Sequence, residues 1–401
     1  MAFVIVGGGH AAGQAAASLR QEGYDGEIVI LADEPHIPYQ RPPLSKQYLA
    51  GEQGIDRVYL RAEKFYADKD VDVRMAVRAA GIDRDAKTVV LEDGGKVPYD
   101  KLLLATGARP RILDIPGANL PGVHYLRTIA DSDAIKADMA PGQRLAVVGG
   151  GYIGLEVASV AVTAGLSVTV VEMEERILQR VTTPAMSAFY HALHGDAGVT
   201  IRTEARAEAF VGTDAVTGVR CADGSEIPAD IVVVGVGIVP NVELAADAGL
   251  TCEDGIAVDE RCTTADPDIL AAGDCTNHPN PLLDRRLRLE SVPNAMEQAR
   301  VAAANMAGQD RVYSSVPWFW SDQYDLKLQM VGFSADGDTA VTRGDPEARR
   351  FAVFHLKDGT LVAADAVNSP REFMACRQLV GKRVDAGQLA DPLVELKTLL
   401  G

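Results

Sequence analysis

Two stretches decide the fold: FVIVGGGHAAG at residues 3–13 and LAVVGGGYIGLE at residues 145–156. Each opens with four apolar residues that read as a buried parallel strand. Each then runs through Gly-x-Gly-x-x-Gly/Ala into an Ala-rich stretch that can start a helix. In such a loop the first glycine permits the tight turn, the second lets the backbone approach a pyrophosphate, and the third position must be small for helix to meet strand. Gly7, Gly9 and Ala12 fill these places in the first copy, and Gly149, Gly151 and Gly154 fill them in the second. The unpaired N–H groups and positive dipole end of the following helix hold phosphates without a metal. Together the two loops predict one polypeptide that binds two dinucleotides.

Each loop is followed by a second apolar run ending in acid: EIVILADE with Asp33, and SVTVVEMEE with Glu172. An acid at this point binds ribose hydroxyls. A 2′-phosphate about 4 Å from Glu172, at an effective dielectric of about 20, would be repelled by about 4 kcal/mol per unit charge. The second site is therefore expected to prefer NADH over NADPH. Arg176 is the only nearby cation read from the sequence, and Glu174 and Glu175 outnumber it.

An internal repeat extends the pattern. DGGKVPYDKLLLATGARP at 93–110 recurs as DGSEIPADIVVVGVGIVP at 223–240. Asp93, Gly94, Pro98, Asp100, Gly107 and Pro110 all return 130 positions later. In both copies an Asp-Gly turn closes a hairpin, and an apolar run forms a buried strand ending at a glycine near the nucleotide. The constant offset argues for duplication.

The bulk properties fit an enzyme and exclude other classes. A chain of 401 residues allows two to three domains. Its net charge of −17 argues against a general nucleic-acid binder and requires any acidic protein partner to meet a local basic patch. Apolar runs fall short of a membrane span, and a first strand at residue 3 leaves no room for a signal peptide, so cytoplasm is the expected location. The five cysteines, Cys221, Cys252, Cys262, Cys275 and Cys376, show no metal-like spacing or disulfide framework, and no metal site is expected. His191 and His194 lie three apart with no third ligand and read as an ordinary helix surface.

After the second repeat, TTADPDILAAGDC at 263–275 reads as a return to the first domain. The helix-like SVPNAMEQARVAAANMAG follows, with Ala295, Ala299, Ala302 and Ala303 as a close-packing face. From about 316 the composition changes: PWFWSDQYDLKLQMVGF gathers both tryptophans, and hairpin strands flank Asp358-Gly359. In SPREFMACRQLVGK, Ser369 is placed as N-cap, Pro370 at the first helical position and Glu372 to complete a capping box.

Taken in order, GGGHAAG, PYQRPPLSK, LLLATGARP, HYLRT, GGGYIGLE, GVGIVPN, DILAAGDC, SVPNAMEQAR and PWFWSDQ resemble one known family. It is that of the FAD-dependent, NADH-using ferredoxin reductases that serve bacterial cytochrome P450 and Rieske-type aromatic-ring oxygenase systems. The resemblance spans essentially the whole chain. It implies an α/β, glutathione-reductase-like fold with two Rossmann-type dinucleotide-binding domains and a C-terminal α+β interface domain. The implied boundaries are 1–110 with 241–315 for FAD, 111–240 for NAD, and 316–401 for the interface domain.

Carried over residue by residue, the resemblance places FAD at Gly7, Gly9, Ala11, Ala12, Asp33, Arg41, Lys46, Val77, Arg127, Asp274 and Val292. It places NADH at Gly149, Gly151, Gly154, Glu172 and Gly237. In similar reductases the positions of Lys46 and Glu156 form an ion pair beside the flavin. A cation there would stabilise negative charge arriving with hydride. The same pair reads as a surface salt bridge if it is exposed.

Disulfide reductases that resemble this fold carry a redox cysteine in the first dinucleotide unit, whereas this chain has none before Cys221. Electrons are therefore expected to leave directly from the flavin, which suits a one-electron [2Fe–2S] ferredoxin. The resemblance sets Trp320 against the flavin, Trp318 nearer the ferredoxin interface, and Arg300 at a basic position that meets an acidic ferredoxin. Two alternatives stay open on the sequence: an NADH oxidase or peroxidase-like flavoprotein, and an NADH-regulated flavoprotein binding module.

Overall fold

The computed structural model describes residues 2–400 and divides into two units. The first comprises Met1–Arg41, Gly54–Arg109 and Ile238–Pro317. Its centre is a parallel sheet in the order Ile269–Ala271, Lys101–Leu104, Ala2–Val6, Glu27–Leu31, Val71–Arg74. Ala2–Val6 is buried along its whole length, as a strand covered on both faces must be, which is why its sequence is an unbroken apolar run. The small residues Ala12, Ala15 and Ala16 of the helix His10–Gln21 share a buried core with Ala295, Ala299, Ala302 and Ala303 of the helix Val292–Met306. Alanine on both sides lets the two helix backbones come close. The expected return of the chain is realised by Ile269–Ala271, which pairs in parallel with Lys101–Leu104.

The second unit comprises Pro42–Gln53, Pro110–Gly237 and Trp318–Gly401. It repeats the first sheet in the order Thr200–Arg202, Ser167–Val171, Arg144–Val148, Ile231–Val234, Val123–Tyr125. The 130-residue repeat is a structural one: Phe3 pairs with Lys101 as Leu145 pairs with Ile231. Gly94 and Gly224 take positive φ in their hairpin turns, and Gly107 and Gly237 take it after their strands.

The C-terminal segment adds an antiparallel sheet in the order Trp318–Gln323, Leu326–Gly332, Thr360–Val367, Arg350–Lys357, Thr339–Asp345. Leu326, Leu328 and Phe351 of this sheet lie in one buried cluster with Leu145, Val147 and Leu155, so this sheet and the parallel sheet of the unit share a core. The helix Pro370–Leu379 begins after Ser369 as expected, but without the capping box. The Ser369 hydroxyl donates instead to the Val367 carbonyl at 3.0 Å, and Glu372 turns to Arg343 at 3.7 Å. No helix among the described residues is long and apolar enough to cross a membrane.

Candidate active site

In the first unit the glycine loop has the shape its sequence requires. Gly7 has φ +135°, and a Cβ there would lie 2.1 Å from the Ala105 carbonyl oxygen. Gly9 caps the helix His10–Gln21 with no side-chain acceptor and no acid in the first turn. A Cβ on Gly9 would meet nothing within 4 Å, so the space in front of the helix N-terminus is open to a pyrophosphate. Ala11 and Ala12 are buried behind it. Asp33 follows the strand Glu27–Leu31 and is exposed.

Its neighbour Glu34 was not singled out by the sequence. Glu34 accepts from the Arg41 guanidinium at 2.8 Å and from the Tyr39 hydroxyl at 2.6 Å. Burial works against the Arg41 charge, but Tyr39, Glu34 and Asp274 outweigh it and raise the guanidinium above its ordinary range. Arg41 and Asp274 are thus close enough to feel one another. The Val77 N–H donates to Ala32 at 2.9 Å. Gly273, at φ +91°, donates its N–H to Gln298, while Val292 begins the helix that carries exposed Arg300.

The second unit presents the same cradle. Gly149 has φ +109° with the Gly235 carbonyl 2.5 Å from where its Cβ would be, and Gly151 opens on nothing within 4 Å. Gly154 meets Gly149 so closely that a Cβ would lie 2.2 Å from its carbonyl oxygen, which accounts for the third glycine. Glu172 accepts from the Gly150 N–H at 2.7 Å and from the Glu174 N–H at 2.9 Å, which fixes the acid at the mouth of the loop.

Arg176 is turned to its own loop, donating to the Thr182 and Gln179 carbonyls and to Ser187. A second cation, Arg180, places a guanidinium nitrogen 3.8 Å from where a Cβ on Gly237 would sit. Its distance in sequence from Gly237 hid it. Arg127 donates its backbone N–H to Asp131 at the capped start of the helix Ile129–Asp138.

Lys46 and Glu156 meet in this unit at 2.7 Å with side chains only 9% and 1% exposed, so the pair is buried. The Ser45 hydroxyl donates to the same carboxylate oxygen, Oε2, at 2.5 Å, and Ser321 donates to Oε1 at 2.6 Å. Desolvating two charges is costly, and such a pair holds only when its remaining lone pairs are satisfied, as they are here. Ser45 sits inside the PYQRPPLSK motif, whereas Ser321 carried no signal beyond strand alternation.

Alternation divides the strand Trp318–Gln323 into two faces. Trp318 and Trp320 pack with ring centroids 5.7 Å apart and planes tilted by 34°, with Phe373 and the Arg377 guanidinium also against the Trp318 ring. Phe319 packs into the core beside Tyr152. His194 is fully buried and not on a helix surface: it meets Gln323 at 2.8 Å and Tyr324 at 2.9 Å, because its helix Pro184–Asp196 lays that face against the C-terminal sheet. All five cysteines are free, four of them buried.

Residues 1–299 match the family model described as pyridine nucleotide-disulphide oxidoreductase, and residues 318–400 match the one described as reductase C-terminal. The probable ferredoxin reductase CtmF of Castellaniella defragrans is 46% identical over 99% of this chain and 98% of its own length. The anthranilate 1,2-dioxygenase system ferredoxin–NAD(+) reductase component of Burkholderia cepacia is 46% identical over 99% of each chain. The crystal structure of the covalent putidaredoxin reductase–putidaredoxin complex superposes with a TM-score of 0.96 at 42% identity, covering 100% of this chain and 98% of that one. Two open glycine cradles, each with an acid behind it, and a matching model over three-quarters of the length have one reading: the chain belongs to the pyridine nucleotide-disulphide oxidoreductase family.

Proposed function

We propose that this chain is an FAD-dependent NADH:ferredoxin oxidoreductase of the cytoplasm. It passes electrons to a [2Fe–2S] ferredoxin that serves a P450 or Rieske-type oxygenase. The observation that carries the proposal is the pairing of two complete nucleotide cradles with the absence of any cysteine before Cys221, which leaves no thiol relay in the first dinucleotide unit. The similar reductases of Castellaniella defragrans and Burkholderia cepacia, and the putidaredoxin reductase of the covalent complex, support the same reading. FAD belongs to 1–110 with 241–315, NADH to 111–240, and the ferredoxin contact to 316–401.

FAD, held by the residues of the first cradle, would supply the chemistry that couples two-electron uptake from NADH to one-electron release. The chain does the rest. Gly7, Gly9, Ala11 and Ala12 shape the FAD cradle, with Asp33 on the ribose and Arg41, Val77, Arg127, Asp274 and Val292 as further contacts. Gly149, Gly151 and Gly154 shape the NADH cradle, Glu172 binds its ribose and rejects a 2′-phosphate, and Gly237 leaves room for the nicotinamide half. Lys46, held by Glu156, supplies fixed positive charge for the negative charge that develops on transfer. Trp320 lies against the flavin, Trp318 stands nearer the ferredoxin, and Arg300 steers the ferredoxin locally against the acidic background.

Rapid mixing of the FAD-loaded protein with NADH should bleach the flavin, and cytochrome c reduction should depend on added ferredoxin. Flavin bleaching with no ferredoxin-dependent turnover across a panel of [2Fe–2S] ferredoxins would refute the proposal.

A further inference from the structure

Behind the Lys46–Glu156 pair runs an unbroken line of hydrogen bonds, buried as far as His194. Ser321 Oγ lies 2.6 Å from Glu156 Oε1, Gln323 Nε2 lies 3.1 Å from Ser321 Oγ, His194 Nε2 lies 2.8 Å from Gln323 Oε1, and Tyr324 OH lies 2.9 Å from His194 Nδ1. Ser321, Gln323 and His194 are each at most 1% exposed. Chemistry sets the direction. An ionised carboxylate only accepts, so Ser321 must donate to it and must in turn accept from the Gln323 amide nitrogen.

That leaves the Gln323 carbonyl facing His194, whose Nε2 must carry the proton, and Nδ1 then accepts from Tyr324. Burial lowers the His194 pKa, partly offset by the Gln323 bond and reinforced by His191, so the ring is held neutral as the line requires. The line does not conduct protons, because the Gln323 amide donates and accepts at different atoms. What it does is aim four dipoles at one oxygen.

We propose that Ser321, Gln323, His194 and Tyr324 are positioning residues that hold Glu156 in the single orientation that presents Oε2 to Lys46. Oε1 is committed to the C-terminal strand, and Oε2 is left to Lys46 and Ser45. The consequence for catalysis rests on the role given to Lys46 above; the positioning itself does not.

The test uses the FAD-loaded protein and reads the labelling rate of Lys46 by an amine-specific reagent, with exposed Lys136 as internal control. Ser321→Ala and Gln323→Leu should each speed Lys46 labelling by about tenfold, the factor set by one hydrogen bond to a charged group. Ser321→Thr, which keeps the hydroxyl, should stay near wild type. Nitrogen-15 NMR should find His194 as the neutral Nε2–H tautomer. Unchanged Lys46 labelling in both Ser321→Ala and Gln323→Leu overturns the proposal, as does an Nδ1–H tautomer. Flavin reduction by NADH should slow in the same variants with KM for NADH unchanged. Faster labelling without slower reduction upholds the positioning line and removes Lys46 from the chemistry instead.

Discussion

The Glu172 carboxylate reaches back to the loop in front of it and accepts the Gly150 N–H at 2.7 Å. A backbone donor therefore fixes the acid at the mouth of the loop, the place proposed for the adenosine ribose. Arg176 is tied to Thr182, Gln179 and Ser187, so it does not offset the acid's charge on a 2′-phosphate. Glu172→Ala combined with Met173→Arg should raise the ratio of NADPH to NADH kcat/KM by at least about tenfold. Steady-state kinetics with both nucleotides checks it, and an unmoved ratio assigns selectivity to another residue.

Lys46→Met leaves the buried Glu156 charge without its partner. It should destabilise the fold by about 3–5 kcal/mol, and adding Glu156→Gln should recover part of that loss. Flavin reduction should fall by about a hundredfold while FAD retention changes little. Denaturant melts and rapid-mixing absorbance separate the two effects, and an equal loss of FAD would make Lys46 a structural residue.

The first loop contains two glycines with different reasons to be glycine. Gly7→Ala forces φ +135° on a residue with a Cβ and drives it into the Ala105 carbonyl, so it should cost about 3 kcal/mol or more of stability. Gly9→Ala meets nothing and has an ordinary φ of −102°, so the fold should survive while FAD affinity falls by about tenfold. Apo-protein melting and flavin titration distinguish them. A Gly9→Ala variant that binds FAD normally would show that no phosphate approaches this backbone.

His278 is buried with both ring nitrogens lacking a protein partner, against Tyr313 at 5.0 Å. Burial, then the Arg286 charge, pushes its pKa down to about 4. Because the folded state holds the proton less well than the unfolded chain, stability is full above about pH 6.5 and is lost as pH falls toward about 4. The loss should total about 3 kcal/mol, and His194, lowered in the same direction, adds to it. His278→Phe should flatten the acid limb in denaturant melts measured across that window. An acid limb as steep as wild type would place the titration elsewhere.

Local chemistry made most of the fold legible. The loops, the acids and the 130-residue repeat are adjacent-residue patterns that the backbone obeys wherever they occur. Lys46 and Glu156, by contrast, are 110 residues apart and were linked only by resemblance. Ser321, Gln323 and His194 left no trace because a buried serine, glutamine or histidine looks like a surface one until its neighbours are known. His194 was misread for that reason. Arg180 and Glu34 escaped for other reasons: Arg180 meets Gly237 only through the fold, and Glu34 adjoins the more conspicuous Asp33, with only side-chain direction telling which of the two is engaged by Arg41.

The strand Trp318–Gln323 presents its tryptophans on one side and the supports of Glu156 on the other. If the tryptophan face meets the electron acceptor as proposed, retargeting it is a matter of replacing side chains, never of adding length to the strand. One inserted residue would rotate every downstream side chain by half a turn. Ser321 would then exchange its place at the carboxylate for the outer face, and the change meant for the partner would be felt first at the ion pair.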